Sequence, residues 1–159
     1  CGFYNHPDKE CTCPPGAVQK YLNKISGPLL DRIDLHVEVT PVAFSELSST
    51  GKCENSASIR EGNIKARDIQ TERYKDHPGM YANAQMSSKQ LREICVINQA
   101  GEALLKRAME RLNLSARAYD RILKVSRTVA DLSGSADIKA EHLAEAIQYR
   151  SLDREGWAG

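Results

Sequence analysis

The stretch that decides the fold runs from Ser115 to Gly134 and reads SARAYDRILKVSRTVADLSG. Ser115 is of a type preferred at helix N-caps, and glycine is the preferred residue just beyond a helix C-terminus. Helical spacing between these two residues predicts a single buried face. Its members are Tyr119, Ile122, Leu123, Ser126, Val129 and Ala130. The stretch therefore predicts an amphipathic helix that packs against other helices.

Three further helices are predicted around it. Ser87 with Gln90 forms a capping box for a helix that ends near Cys95. Asn98 can cap the next helix, and the last helix covers about 139–150. The side chains expected to face the core are Leu104, Leu105, Ala108, Leu112, Leu143, Ala146 and Ile147. Because helices this short are marginal alone, we expect them to form one compact four-helix unit.

The region before this unit is less regular. A linking helix is predicted from Ser56 or Ser58 to about Tyr74, and a shorter helix over 16–24. Between them, the polar Ser/Thr/Gly-rich stretch 42–54 is typical of a loop and of a hinge.

Residues 33–40 are predicted to form a strand, because apolar and polar side chains alternate there with a period of two. Pro41 ends the pattern. A lone strand lacks partners for its backbone donors. It therefore either pairs in a dimer or belongs to a sheet whose other strands lie upstream of Cys1, and we favour the second interpretation.

The composition indicates an ordinary soluble chain. Its 159 residues are 41% hydrophobic and 27% charged, and the formal net charge is +1. With so small a net charge, the chain as a whole has no strong positive potential that would attract nucleic acid. No apolar run approaches the roughly 20 residues that a membrane span needs. The five cysteines are an odd number, which argues against a secreted disulfide framework and favours a reducing, cytoplasmic compartment.

Three of these cysteines, Cys1, Cys11 and Cys13, cluster near the start, with His6 among them. Thiolates and imidazole at short spacing are the ligands that tetrahedral Zn²⁺ takes, so three cysteines and one histidine would complete a structural site. The alternative is a loop with incidental free thiols. The residues alone leave both interpretations open.

Two sets of arginines attract attention. Arg32 precedes the predicted strand and lies between Asp31 and Asp34, so its simplest role is to pair with one of them. Arg117 lies in the first turn of a helix, where the dipole and free N–H groups favour an anion, and Arg121 lies on the same face. That pair suits a phosphate, but it is also typical of a solvated basic face.

The sequence contains no Gly-x4-Gly-Lys-[Ser/Thr] phosphate-binding loop. The similar-looking Gly51-Lys52-Cys53 is not part of one. We therefore expect this chain by itself to hydrolyse no ATP.

Several motifs, in this order, resemble one family. They are Cys11-Thr-Cys-Pro, Ile25-Ser-Gly-Pro-Leu-Leu-Asp-Arg-Ile-Asp-Leu-His36, Asn83-Ala-Gln-Met-Ser87, Leu114-Ser-Ala-Arg-Ala-Tyr-Asp-Arg-Ile-Leu123 and Glu141-His-Leu-Ala-Glu-Ala-Ile-Gln-Tyr-Arg150. Together they are similar to the magnesium-chelatase-like AAA+ ATPases, specifically the competence-type ComM/YifB group. The resemblance covers nearly the whole chain.

The resemblance implies a mainly α fold, in which an AAA+ helical lid bundle follows a small remnant, about one strand, of the α/β ATPase core. It divides the chain into the end of the core with its Cys-rich loop (1–54), a linking helix and turn (55–82), and the lid (83–152). Arg32 matches the family's arginine finger. Arg117 matches the sensor-2 arginine of the lid, with Arg121 beside it.

The resemblance also implies function and partners. Similar proteins assemble as homo-hexamers driven by ATP and Mg²⁺, and the competence-type members move on branched DNA during recombination. The family's zinc-type cysteines would include Cys1, Cys11 and Cys13. The alternatives are an ATPase subunit of magnesium chelatase, which inserts Mg²⁺ into a porphyrin, and a non-enzymatic helical binding module with a zinc loop.

Overall fold

The structure is a computed structural model that describes residues 1–4, 6–39, 41–42 and 53–150. Within those ranges the chain is mainly helical, as predicted. Its α-helices are α1 (Ala17–Leu22), α2 (Gly27–Leu30), α3 (Ser56–Arg73), α4 (Ser88–Ile94), α5 (Gln99–Arg111), α6 (Ala116–Leu132) and α7 (Ala140–Gln148), with a 3₁₀ turn at Asn83–Gln85.

Helices α4, α5 and α6 begin at the caps that the sequence predicts. The hydroxyl of Ser115 accepts a hydrogen bond from the backbone N–H of Ala118 (3.2 Å), and the side chain of Asn98 accepts one from that of Gly101 (2.9 Å). The capping box at the start of α4 is also formed. After α6, Gly134 has a φ of 67°, a left-handed value that glycine adopts without strain. These contacts satisfy backbone groups that helix ends otherwise leave unpaired.

Helix α6 lies at the centre of the bundle and contacts α3, α4, α7 and the 3₁₀ turn, while α5 packs on α7. Gly101 of α5 permits that packing, because a Cβ there would lie 2.8 Å from Cδ1 of Leu143. The core comprises Tyr74, Met80, Met86, Leu91, Cys95, Leu105, Ile122, Leu123, Ala130, Ile138, Leu143 and Ala146. The inward prediction for Tyr119 is wrong, since it is 40% exposed.

None of the helices in the described ranges is long and apolar enough to cross a membrane.

The predicted strand is not formed. Residues 33–39 have no strand assignment, and the single β-bridge of the described ranges joins Ile97 to Ile138. The apolar side chains of the alternation are not buried either, because Val37 and Val39 are 67% and 86% exposed, whereas the polar His36 is buried. The physical reason is that a period of two needs a neighbouring strand before it becomes a ladder, and the described residues provide none.

Parts of the predicted organisation lie outside the described residues. These are 43–52 of the predicted hinge loop, and 151–152 at the end of the predicted lid. The division at 54 and 82 remains a prediction.

A buried carboxylate joins α3 to α6. Asp131 has no exposed side-chain surface and accepts hydrogen bonds from Arg73 (Nη1–Oδ2, 2.7 Å), Arg127 (Nε–Oδ1, 3.1 Å) and Asn83 (Nδ2–Oδ2, 2.8 Å). Arg127 donates its other N–H groups to backbone carbonyls of the loop 135–136. The hydrogen bond to Asp131 raises the pKa of Arg73. Each buried charge is therefore compensated by a neighbour of opposite sign or by the backbone.

We expect Asp131→Ala to lower the free energy of unfolding by about 3–5 kcal/mol, because two guanidinium groups would lose their shared counter-charge. Urea unfolding followed by circular dichroism measures this change. The exposed Asp137→Asn is the matched control and should change stability by less than about 0.5 kcal/mol. A loss below about 1 kcal/mol in Asp131→Ala would contradict this account of the bundle.

Candidate functional site

Arg32 lies on an exposed turn directly after α2. Pro28 favours the start of that short helix, since its fixed φ is already helical. The Nη1 group of Arg32 donates a hydrogen bond to the carbonyl of Pro28. In the ranges that the structure describes, no carboxylate lies within 4.0 Å of the Arg32 guanidinium. The simple pairing of Arg32 with Asp31 or Asp34 is therefore not what the structure contains.

The two aspartates instead contact the start of α6. Oδ1 of Asp31 accepts a hydrogen bond from the hydroxyl of Ser115 (2.6 Å), and its Oδ2 lies 3.8 Å from Nη1 of Arg117. Asp34 forms an ion pair with Arg121. The structure thus brings Arg117 and Arg121 to the turn that carries Arg32, although Arg32 lies far from both in sequence.

The two arginines of α6 differ in accessibility. The side chain of Arg117 is 65% exposed and that of Arg121 is 30% exposed. Arg117 lies in the first turn of α6, next to free backbone N–H groups and the positive end of the helix dipole. The 3.8 Å between Nη1 of Arg117 and Oδ2 of Asp31 is longer than a hydrogen bond, so the attraction between the two side chains is weak and screened by water. Arg117 can therefore turn toward an anion with little loss of interaction energy with Asp31.

A third arginine, which the sequence analysis missed as a site residue, holds the same turn from the other side. The Arg150 side chain is only 1% exposed. It donates from Nη1 to the carbonyl of Ile33, and its Nη2 lies 3.8 Å from Oδ1 of Asp31. Beside it, the backbone N–H of His36 donates to the carbonyl of Tyr149 (2.8 Å).

The sequence did contain a signal for Arg150. Leu143, Ala146, Ile147 and Arg150 follow helical spacing, so the arginine extends the apolar face of α7. A charged residue that extends a buried face requires polar partners. What the pattern could not reveal is that these partners come from the turn around Arg32.

The thiols of Cys1, Cys11 and Cys13 meet in one cluster, with all three Sγ atoms within 4.8 Å of one another. The Sγ of Cys1 lies 3.6 Å from that of Cys11 and 3.4 Å from that of Cys13. Two sulfurs on one tetrahedral Zn²⁺ lie about 3.8 Å apart, given Zn–S bonds of about 2.3 Å. The three cysteines therefore fit zinc and would supply three of its four ligands.

His6 is not part of that cluster. Its Nδ1 accepts a hydrogen bond from the backbone N–H of Asp8 (3.1 Å), and its ring packs edge-on against Phe3. The expectation that His6 completes the ligand set is therefore wrong in this structure, because the local turn holds the ring elsewhere.

Two protein-family models together match most of the chain. Residues 53–150 match the family model described as "Magnesium chelatase, subunit ChlI C-terminal". Residues 1–47 match the model described as "Magnesium chelatase, subunit ChlI". The chain belongs to the magnesium chelatase ChlI family. Segment 53–150 holds Arg117, Arg121 and Arg150, while segment 1–47 holds Arg32 and the cysteine cluster.

Individual relatives agree with this family. The chain is 45% identical over 141 residues to "Competence protein ComM" of Haemophilus influenzae, which covers 88% of this chain and 27% of that protein. It is 36% identical over 156 residues to YifB of Salmonella typhimurium, covering 96% of this chain and 29% of that protein. YifB of Escherichia coli matches equally well, with the same identity and coverage. The chain thus spans less than a third of the length of these relatives.

Proposed function

We propose that this chain is the C-terminal part of a ring-forming AAA+ ATPase in which Arg32 and Arg117 act on ATP. Segment 1–54 would be the end of the ATPase core, segment 55–82 the linking helix and segment 83–152 the lid. ATP and Mg²⁺ would bind in the full-length protein, since this sequence contains no phosphate-binding loop. ChlI family membership supports this assignment.

The observation that carries the proposal is the position of Arg117. It is exposed at the positive end of α6, and the nearby Asp31 carboxylate is a weak partner that a phosphate can replace. We assign Arg117 to the nucleotide of its own subunit, with Arg121 one turn further along the same face. Lid closure on ATP would then depend on the charge of Arg117.

Arg32 has a different role in the proposal. Its side chain is exposed and no described carboxylate neutralises it, so it can project from its own subunit. In a homo-hexameric ring it would reach the γ-phosphate held by the neighbouring subunit and offset the charge that develops in the transition state. Such arginine fingers contribute about 10³–10⁵-fold in rate.

For the substrate of the motor we favour branched DNA in the cytoplasm. The support is the identity of 45% to a protein named for competence, together with the competence-type motifs of the sequence. An ATPase subunit of magnesium chelatase is the second candidate, and the names of both matched family models favour it.

We also propose that the cysteine cluster binds structural zinc. Thiolates at the observed spacing suit Zn²⁺, and the loop around them has little core of its own. Zinc would order this loop next to α1 without taking part in ATP hydrolysis.

In the full-length protein, we expect Arg32→Ala to lower kcat for ATP by about 10³-fold while its Kd for ATP stays near that of the wild type, because the finger acts in the transition state. Arg117→Ala should raise Kd and lower kcat by at least about tenfold. Steady-state phosphate release and binding of a non-hydrolysable ATP analogue measure these effects.

Arg107→Ala removes an equally charged, exposed side chain from α5 and is the matched control. Near-normal turnover in Arg32→Ala would contradict the finger assignment. Adding branched DNA to the wild type distinguishes the two substrates. A faster ATPase supports the DNA motor, whereas no response to DNA together with Mg²⁺ insertion into a porphyrin would favour the chelatase.

For zinc, elemental analysis of protein purified under reducing conditions without added metal should find about one ion per chain. The double variant Cys11→Ser/Cys13→Ser should lose it, because two of the three clustered ligands are gone. Cys53→Ser, which removes an exposed thiol outside the cluster, should retain the metal. Zinc content that the double substitution leaves unchanged would exclude this site.

A further inference from the structure

Arg150 differs from the other arginines near Arg32 in its burial. Its side chain is 1% exposed, whereas that of Arg117 is 65% exposed. Burying a guanidinium is costly unless polar partners compensate it, so its contacts are expected to be rigid. Two of those contacts are the carbonyl of Ile33 and the carboxylate of Asp31. They lie on the residues directly before and directly after Arg32.

A second link reinforces the same junction. The N–H of His36 donates to the carbonyl of Tyr149, and the ring of His36 lies 3.2 Å (Nε2) from the carbonyl of Leu30. The backbone after Arg32 is thus hydrogen-bonded to the end of α7 through Ile33 and His36, and the side chain of Asp31 before it faces Arg150, while the side chain of Arg32 itself stays exposed.

We propose that Arg150 is a positioning residue for Arg32: it clamps the turn on both sides of the finger and couples that turn to the lid. This inference rests on the proposed role of Arg32. Catalysis by a finger requires its base to be held within a fraction of an ångström, and a misplacement of about 1 Å costs about 10²-fold in rate.

The clamp also connects the two nucleotide-facing arginines. Helix α7, which leads into Arg150, packs on α6, whose first turn carries Arg117. The packing therefore joins the first turn of α6 to the turn of Arg32 by way of α7 and Arg150.

A double-mutant cycle in the full-length protein tests the clamp. Arg150→Lys keeps the charge but loses the planar guanidinium, whose Nη1 donates to Ile33 while its Nη2 faces Asp31, and Arg150→Met keeps the apolar stem alone. Each should lower kcat by at least about tenfold while Kd for a non-hydrolysable ATP analogue changes less than about twofold. Rates are counted per site that binds the analogue, so unfolded molecules do not contribute.

The same two substitutions are then made in the Arg32→Ala background. If Arg150 acts through Arg32, they cause no further loss of kcat there. Arg107→Lys and Arg107→Met are the matched controls and should be silent in both backgrounds. An equal loss with and without Arg32 would assign Arg150 a general structural role and overturn the proposal, as would normal kcat in both Arg150 variants. Normal turnover of Arg32→Ala itself would instead refute the proposed function, and the clamp with it.

Discussion

Two arginines, one from α3 and one from α6, share the carboxylate of Asp131, whose side chain has no exposed surface. The bundle around it is small, with few aromatic side chains, and apolar burial alone specifies helix order weakly. A buried charge tolerates few arrangements, because removing any partner leaves an uncompensated ion in a medium of low dielectric. Asp131 therefore fixes α3 against α6, and α6 in turn carries Arg117 and supports α7.

The same principle operates at the junction between the helical bundle and the turn of Arg32. There the buried ion is the guanidinium of Arg150, and its partners include a carboxylate and a backbone carbonyl. The two buried sites have different roles. The site at Asp131 holds the helices of the bundle together, and the site at Arg150 attaches the turn of Arg32 to that bundle. The exposed arginines, by contrast, have weak or exchangeable partners, which suits groups that must meet a ligand.

Most of the helical bundle could be predicted from the sequence, because Ser87, Asn98 and Ser115 act through neighbours three residues away. The strand predicted over 33–40 is not formed over the described residues 33–39, because alternation produces a strand only beside partner strands. Tyr119 fits the apolar face of α6 by spacing, yet it is 40% exposed. Helical spacing identifies a face but does not say which positions a neighbouring helix covers.

The arginines illustrate the same limit at the candidate site. The residues alone singled out Arg32, Arg117 and Arg121 without deciding between a structural and a functional role, and only the family resemblance implied the functional one. The contact between Asp31 and Arg117 spans 86 positions and the pair of Asp34 with Arg121 spans 87, so only the fold could bring them together. Arg150 was missed because its partners lie even further away, at the other end of the chain.

The central claim is that Arg32 and Arg117 of one subunit serve two different nucleotide sites. Mixing full-length Arg32→Ala and Arg117→Ala proteins, with subunit exchange verified by fluorescence energy transfer, tests it most directly. Each variant alone has lost most of its ATPase activity in this account, but a mixed ring contains interfaces with both arginines intact. ATPase activity should return to about a quarter of the wild-type rate at equal proportions, because about one interface in four is complete in a cyclic ring. No recovery despite exchange would mean that both arginines serve one site, and it would contradict the account.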